Sequence, residues 1–488
     1  MRLLYPALAP WFACALLWTG AVSAQVRAGA DWATAGADAQ RSFWLRSDPK
    51  ISVERLRTPG FRLVWKIHAS GEPGPAITFN RYIGYRGFRS LAFVSAPGEV
   101  VAIDTDLGRK EWTKSLAANQ PAGRAQGGCT GGAVQLSLPT TAEFPAAPGG
   151  ESRGRSGPAK SGVGEAGEGA ATIAEIAARQ AMLAASGSAP AKAGPRPEHL
   201  PMLVYALTPD GMLHSMYVSN GEEPAPPRPF LPPNSNARSL TVIDDTAYVV
   251  TSQGCNAPNA VWALKAASKE ALHWSAPGSL AGDGAVAFGP DGTIYVSTTN
   301  GELVALDSAT LQPKGAYRTG AQAFATPPVA FQYKTKTMTA AATTDRRLHF
   351  IDADTLRGAG VAAAVSGAPA TWQDPAGARW IAAPSGNSIA AWKIADNGDE
   401  PALQTGWTSR GLGSPSTPIV INGVVFTASN SPSPVVFALD GGTGKELWNS
   451  GTTLAAPVRR EALSGGNGQL YVATADGTIY AFGFPIEH

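Results

Sequence analysis

The chain has 488 residues, of which 44% are hydrophobic and 16% are charged, and it contains 55 glycines and 39 prolines. This composition is too apolar for a disordered chain and too rich in turn-forming residues for a mainly helical protein. The formal net charge is +2, so the chain lacks the basic excess that is typical of nucleic-acid-binding proteins. We therefore expect short strands joined by turns, and no nucleic-acid partner.

Residues 1–24 have the pattern of a secretory signal peptide. Arg2 precedes an apolar run that extends to Trp18 and contains two prolines, and small residues follow up to Ala24. A membrane anchor would need about 20 unbroken apolar residues. We expect cleavage after Ala24, no transmembrane segment in the mature chain, and a location in the bacterial periplasm or outside the cell.

A short pattern recurs eight times along the rest of the chain. Each copy begins with two apolar or aromatic residues. Usually an alanine comes next, then an aliphatic residue, and often an aspartate after it. The centres of the copies lie at positions 102, 206, 263, 305, 350, 391, 438 and 481. After the first two intervals the spacing is 41 to 47 residues, which is typical of a four-stranded propeller blade.

The first interval is longer because residues 138–200 form an insertion that is dense in glycine, alanine, proline and serine. Without its 63 residues, the interval falls from 104 to 41 residues. We expect the insertion to join the first two strands of the second blade and to lack fixed structure over most of its length. Residues 170–186 have apolar residues at helical spacing, so a short helix there is the alternative to an alanine-rich linker.

The strand pattern also predicts how the ring closes. The last unit provides three strands, whereas residues 61–67, which include Trp65, have the pattern of a fourth strand without a unit of their own. Pairing the two would remove an open sheet edge. The sequence thus predicts an all-β fold: an eight-bladed β-propeller of four-stranded antiparallel blades over residues 61–488, closed by an N-terminal strand that completes the last blade, after a lead segment at residues 25–60.

Residues 438–448, Ala-Leu-Asp-Gly-Gly-Thr-Gly-Lys-Glu-Leu-Trp, resemble the repeat of the pyrroloquinoline quinone (PQQ) propellers, which reads Ala-x-Asp-x-x-Thr-Gly-x-x-x-Trp. Residues 102–112 are a looser copy, and residues 31–38 are similar to the start of the quinoprotein dehydrogenases. The resemblance implies a fold and leaves the activity open, because catalytically silent propellers carry the same repeat. One of these is the scaffold lipoprotein of outer-membrane protein assembly.

In this family the tryptophan of each repeat docks between neighbouring blades. The resemblance therefore implies a structural role for the four tryptophans at this position: Trp65, Trp112, Trp274 and Trp448.

A quinoprotein dehydrogenase needs a calcium ion held by oxygen ligands, a general-base aspartate and aromatic stacking on the planar quinone. Alcohol-oxidising relatives also have two adjacent cysteines, and this chain has none. The repeat aspartates, such as Asp104 and Asp440, end third strands, where turn capping is the usual role. The sequence therefore assigns no catalytic or metal-ligating residue, and PQQ and calcium are implied only by the family resemblance.

Two cysteines, Cys129 and Cys255, remain after signal cleavage. In a propeller, Cys129 would enter blade 2, and Cys255 would lie between the second and third strands of blade 3, so both would emerge on the same face. In an oxidising compartment such a pair commonly forms a disulfide. We expect a Cys129–Cys255 disulfide on the face that holds the active site in the dehydrogenases, and two unpaired buried thiols are the alternative.

A loop of blade 1 on the opposite face interleaves arginines with aromatic residues. Such a cluster can hold an anionic ligand or a partner, and it can also fold its own aromatic rings under solvated arginines. The candidate residues are Arg81, Tyr82, Tyr85, Arg86 and Arg89.

Together these patterns favour an exported, monomeric propeller that acts as a binding or scaffold module in the bacterial envelope. Its expected partner is an envelope protein or a small-molecule ligand. The alternative is a periplasmic PQQ- and calcium-dependent dehydrogenase that oxidises an alcohol or a sugar.

Overall fold

A computed structural model of the chain describes residues 31–84, 87–116, 133–144, 202–252, 254–398 and 400–485. The predicted signal peptide, Cys129, Tyr85, Arg86 and most of the predicted insertion lie outside these ranges. Across the described residues, no helix has the length and apolar character needed to cross a membrane.

The described residues form eight sheets, which we number as blades in chain order. Three elements precede the first blade: β1 (Trp44–Leu45), α1 (Val53–Leu56) and β2 (Arg62–His68). Blade 1 contains β3 (Ile77–Gly84), β4 (Gly87–Ala96), β5 (Glu99–Asp104) and β6 (Arg109–Ser115). Blade 2 contains β7 (Gln135–Ser137), β9 (Leu203–Leu207), β10 (Met212–Tyr217) and β11 (Arg228–Pro229). Blade 3 contains β8 (Pro139–Thr140), β12 (Ala237–Ile243), β13 (Thr246–Thr251), β14 (Ala260–Lys265) and β15 (Leu272–Ser275).

The next three blades are regular four-stranded sheets. Blade 4 contains β16 (Ala287–Phe288), β17 (Ile294–Ser297), β18 (Glu302–Leu306) and β19 (Pro313–Arg318). Blade 5 contains β20 (Val329–Tyr333), β21 (Lys336–Ala342), β22 (Arg347–Asp352) and β23 (Arg357–Ala363). Blade 6 contains β24 (Ala370–Gln373), β25 (Arg379–Ser385), β26 (Ser388–Asn397) and β27 (Glu400–Thr408).

The last two blades incorporate strands from the start of the chain. Blade 7 contains β28 (Ile419–Ile421), β29 (Val424–Ser429), β30 (Val435–Asp440) and β31 (Glu446–Asn449), with β1 parallel to β28. Blade 8 contains β32 (Val458–Gly466), β33 (Gln469–Thr474) and β34 (Thr478–Gly483), with β2 antiparallel to β34. The eight-bladed propeller and its closure by an N-terminal strand are therefore confirmed.

Regular structure continues beyond residue 138, where the sequence places the start of the insertion. Pro139–Thr140 pairs in parallel with Val242 and Ile243 of blade 3. Strands β7 and β9, on either side of the predicted insertion, pair with each other as antiparallel neighbours in blade 2.

The first strands of the blades lie nearest the propeller axis, where several of them contact one another. The lead segment runs between these strands, a placement that the sequence did not predict. Its carbonyl groups accept hydrogen bonds from the backbone N–H groups of five blades: Ala33 from Leu138, Ala39 from Phe288, Gln40 from Ala330, Ser42 from Thr371, and Phe43 from Val420. The lead segment thus satisfies inner backbone groups that would otherwise be buried without partners.

The other three blades are joined to the lead segment as well. The carbonyl of Trp32 accepts a hydrogen bond from Thr78 N in blade 1. In blade 8, Gly468 N donates a hydrogen bond to the Asp48 carboxylate over 2.7 Å. In blade 3, Oγ of Ser239 accepts a hydrogen bond from the side chain of Arg41. Because Trp32 is fully buried, the segment is part of the propeller core rather than an appendage.

Candidate functional site

Two adjoining cavities open on the face that carries the connections between blades. The larger, of about 780 Å³, is lined by loops of blades 4 to 8. The smaller, of about 220 Å³, is lined mainly by blades 1 to 3, blade 8 and the lead segment. Four residues line both cavities, so we treat the two as one funnel: Asp283, Pro327, Arg459 and Glu461.

Three residues meet at the floor of the smaller cavity. Nη1 of Arg41 donates a hydrogen bond to Oγ of Ser239 over 3.0 Å. Nη2 of Arg41 lies 3.5 Å from Oε1 of Glu461, and the Arg41 side chain is only 4% exposed. The lead segment therefore brings a buried guanidinium between blades 3 and 8.

The backbone at this floor adopts an unusual conformation at all three residues. Arg41, Ser239 and Glu461 have φ angles of +57°, +58° and +50°, a region that residues other than glycine seldom occupy. Ser239 and Glu461 also lie within register shifts of β12 and β32. Such bulges redirect side chains and are common next to functional sites.

A second arginine lines the smaller cavity. It is Arg238, which precedes Ser239 in β12. Among the described residues, the buried Nε atoms of Arg238 and Arg41 have no hydrogen-bond partner. Ser239 is held in place because its N–H donates to the Gln135 side chain over 3.0 Å. The floor thus holds two donors that protein groups described here do not satisfy.

The rim adds further charge. Arg459 pairs with Glu72 over 2.5 Å and donates to the carbonyl of Pro73 over 2.9 Å, so its guanidinium is already engaged. Arg346 and Asp283 line the larger cavity. Among the described residues that line the funnel, four arginines face two carboxylates, which gives it an excess of positive charge.

The described lining does not fit a planar quinone and its calcium ion. It contains no aromatic residue on which a quinone could stack, and Asp283 and Glu461 are its only carboxylates. Glu461 already pairs with Arg41. Elsewhere in the described ranges, no three His, Cys, Asp or Glu side chains are grouped so that they could hold a metal ion.

The four tryptophans predicted to dock between blades lie on the outer strands of their blades. Trp65 Nε1 donates to the Thr105 carbonyl of blade 1 over 2.9 Å, and Trp112 Nε1 donates to the Val218 carbonyl of blade 2 over 3.0 Å. Trp448 contacts the ring of Phe482 in blade 8, with centroids 5.3 Å apart.

Trp274 is half-buried against a cluster that includes residues of blade 4. Trp407 occupies an equivalent place, since its Nε1 donates to the Gly441 carbonyl of blade 7 over 2.8 Å. The sequence pattern did not identify this tryptophan. The long β26–β27 hairpin puts Trp407 16 residues beyond the centre of its repeat at position 391, whereas Trp112, Trp274 and Trp448 lie 10 or 11 residues beyond the centres of theirs.

The arginine-rich loop of blade 1 is a β3–β4 hairpin on the face opposite the funnel. Nη1 of Arg89 lies 2.8 Å from Glu111 and 3.8 Å from Asp104, so this arginine is paired within its own blade. Tyr82 is half-buried, with its ring 6.5 Å from that of Phe79. Arg81 lies on β3, and a ligand role for this loop stays a prediction.

Cys255 is buried in the connection between β13 and β14 of blade 3. Since Cys129 lies outside the described residues, the Cys129–Cys255 disulfide stays a prediction.

No protein-family model matches the sequence, and no curated protein sequence does. Several solved structures are similar. A europium-containing methanol dehydrogenase matches with a TM-score of 0.56 and 11% identity, over 94% of this chain and 98% of that one. A quinohemoprotein alcohol dehydrogenase from Comamonas testosteroni matches with a TM-score of 0.54 and 14% identity, over 94% of this chain and 81% of that one.

BamB from Moraxella catarrhalis matches with a TM-score of 0.49 and 13% identity, over 88% of this chain and 99% of that one. At such identities, the likeness to the two dehydrogenases shows the fold alone. The resemblance to the PQQ propellers is therefore supported at the level of the fold.

Proposed function

We propose that this protein is an exported propeller that acts as a binding or scaffold module in the bacterial envelope, with its ligand or partner entering the funnel. The observation that carries the proposal is the make-up of the funnel, which among the described residues has four arginines, two carboxylates and otherwise small or neutral residues. Arginines in a recessed site are suited to recognising an anionic group. Export rests on the predicted signal peptide.

The described lining also contains no histidine, lysine or cysteine. These residues most often act as general bases or activated nucleophiles. Of the two carboxylates, Glu461 is engaged by Arg41. Its arginines make recognition of an anionic group the function that this surface supports best.

A PQQ- and calcium-dependent dehydrogenase that acts on an alcohol or a sugar is the second candidate. The fold shared with two dehydrogenases favours it, whereas the described funnel lining offers no aromatic platform and no group of calcium ligands. We therefore rank it below the binding module.

The two candidates are separated by adding PQQ and calcium to the purified mature protein and removing the unbound quinone. We expect no retained quinone absorbance and no reduction of an electron-accepting dye with alcohols or aldoses. Retention of one quinone per chain, together with dye reduction, would replace the binding module with the dehydrogenase.

The binding role is tested by exposing the tagged mature chain to an envelope fraction and identifying captured proteins and co-purified small molecules by mass spectrometry. Arg238→Gln alters the funnel floor. Arg318→Gln is the matched control, because Arg318 is 72% exposed and pairs with Glu302 on the outer strands of blade 4. We expect the first variant to lose the bound species and the second to keep it, and equal capture by both would argue against the funnel.

A further inference from the structure

We propose that the floor of the funnel binds an oxyanion, a carboxylate or a phosphate group, through the guanidinium groups of Arg41 and Arg238. The proposal rests on the proposed function, because it names the chemical class of the ligand for the same funnel. It follows from three features of the funnel: incompletely hydrogen-bonded arginines at its floor, an excess of positive charge in its lining, and the space that the cavities provide.

The first feature is the incomplete hydrogen bonding of Arg41. A guanidinium has five N–H donors and no acceptor. Those of Arg41 reach Ser239 over 3.0 Å and Glu461 over 3.5 Å, whereas its Nε has no partner among the described residues. Since the side chain is 4% exposed, bulk water reaches it poorly. Leaving a buried donor unsatisfied is unfavourable, so the hydrogen bonding of this guanidinium is incomplete.

The second feature is the charge balance at the floor. Arg238 brings a second guanidinium to the same cavity, and its buried Nε also lacks a partner among the described residues. Glu461 is the carboxylate that contacts Arg41, and Arg459 at the rim is already paired with Glu72. With Arg459 paired, the described lining of the two cavities together contains three arginines, Arg41, Arg238 and Arg346, and two carboxylates, Asp283 and Glu461. This leaves a net positive charge, which favours an anionic ligand.

The third feature is the space above these donors. The smaller cavity has a volume of about 220 Å³, which suits one compact anionic group. It opens into the larger cavity of about 780 Å³, where the rest of a ligand would lie. Because the described lining has no aromatic residue, the body of the ligand is inferred to be flexible and polar rather than a planar ring system.

The backbone conformation at the funnel floor also supports an anion site. Positive φ angles at Arg41, Ser239 and Glu461 are unfavourable for residues other than glycine. The three residues come from the lead segment and from bulges in two blades, and they converge on one guanidinium. Such strain tends to persist where the surrounding structure holds side chains in a functional arrangement.

The test is calorimetric titration of the full mature protein at low salt with inorganic phosphate and, separately, with acetate. We expect saturable binding of at least one anion. The anion that binds more tightly identifies the charged group of the ligand as a phosphate or a carboxylate. Arg238→Gln should weaken binding about tenfold or more, as expected for loss of a charge-assisted hydrogen bond. Arg318→Gln should change it less than about twofold, because a solvent-exposed ion pair contributes little.

Arg41→Lys serves as a second variant, since it keeps the positive charge but removes the Nε–H donor. It should bind the anion more weakly than the wild type while unfolding at a similar temperature. The inference is overturned if the wild type binds neither anion, or if Arg238→Gln and Arg318→Gln bind it equally. Capture of a partner that Arg238→Gln abolishes, without binding of either anion, would overturn this inference alone and leave the proposed function standing.

Discussion

Arg41, in the lead segment, and Arg379, which packs against that segment, are both buried arginines, yet their guanidinium groups have different surroundings. Arg379 lies 5.5 Å from the ring centroid of Trp44 and 5.2 Å from that of Phe331, and its Nε donates to the Gln332 carbonyl over 3.2 Å. The Arg41 guanidinium lies over one aromatic ring, that of Phe43, 5.2 Å from its centroid. Unlike Arg379, Arg41 lines the funnel.

Each of the two arginines has one nitrogen without a hydrogen-bond partner among the described residues. At Arg379, two aromatic faces compensate the charge through cation–π contacts, which are strongest when desolvated. The side chain of Arg41, by contrast, lines a cavity. An unsatisfied buried donor therefore points to a ligand only where there is space for one, and the predictions below test this distinction.

The largest effect is expected for Trp44→Ala. Trp44 is 4% exposed, and its ring lies 4.4 Å from the Arg46 guanidinium and also contacts that of Arg379. Removing it leaves a cavity and takes one aromatic face from each of the two guanidiniums, so we expect the free energy of unfolding to fall by about 3–5 kcal/mol. Urea unfolding measures the change.

The matched control for Trp44→Ala is Phe88→Ala, because Phe88 is 75% exposed. It should change the unfolding free energy by less than about 0.5 kcal/mol. Equal effects of the two substitutions would mean that the ring stack around Trp44 does not stabilise the propeller.

An intermediate, pH-dependent effect is expected for Arg379→Met. Burial, and next the neighbouring charge of Arg46, lower the pKa of Arg379 to about 9. Above this pH the folded protein releases a proton that the unfolded chain retains. The stability of the wild type relative to Arg379→Met should therefore rise with pH on the alkaline side, by at most about 1.4 kcal/mol per pH unit.

This dependence is measured as the difference between urea-unfolding free energies of the two proteins from neutral to alkaline pH. Parallel curves would contradict it. The same variant sharpens the comparison with Arg41, because Arg379→Met should leave the phosphate affinity unchanged, whereas Arg238→Gln should lower it.

The smallest effect is expected for Glu461→Gln. Its carboxylate, 21% exposed, competes with a ligand for Nη2 of Arg41. Neutralising it should strengthen phosphate binding by about fivefold, equivalent to about 1 kcal/mol. Glu72→Gln is the control, since Glu72 pairs with Arg459 at the rim and should change the affinity less. Weaker binding by Glu461→Gln would show that Glu461 positions Arg41 rather than competing for it.

The sequence predicted the repeated parts of this molecule because their signals are local. Eight copies of one strand pattern gave the number of blades, and the unpaired pattern around Trp65 gave the closing strand β2. Trp407 was missed because its hairpin is longer than those of the other blades.

The lead segment and the funnel floor could not be predicted in the same way. The lead segment binds the blades largely through its backbone carbonyl groups, which leave no periodicity in the sequence. Arg41, Ser239 and Glu461 are far apart in the chain and meet only because two inner strands carry bulges. No motif marks such a site, and the positive φ angles that shape it occur at residues other than glycine.

The most direct test of the account follows the arginine Nε–H signals by nuclear magnetic resonance in protein with isotope-labelled arginine, assigned with the Arg41→Lys, Arg238→Gln and Arg379→Met variants. On titration with the anion that binds more tightly in calorimetry, the signals of Arg41 and Arg238 should shift together and saturate at the calorimetric affinity, whereas that of Arg379 should stay in place. Unchanged signals of Arg41 and Arg238, or an equal shift at Arg379, would contradict a ligand site at the funnel floor.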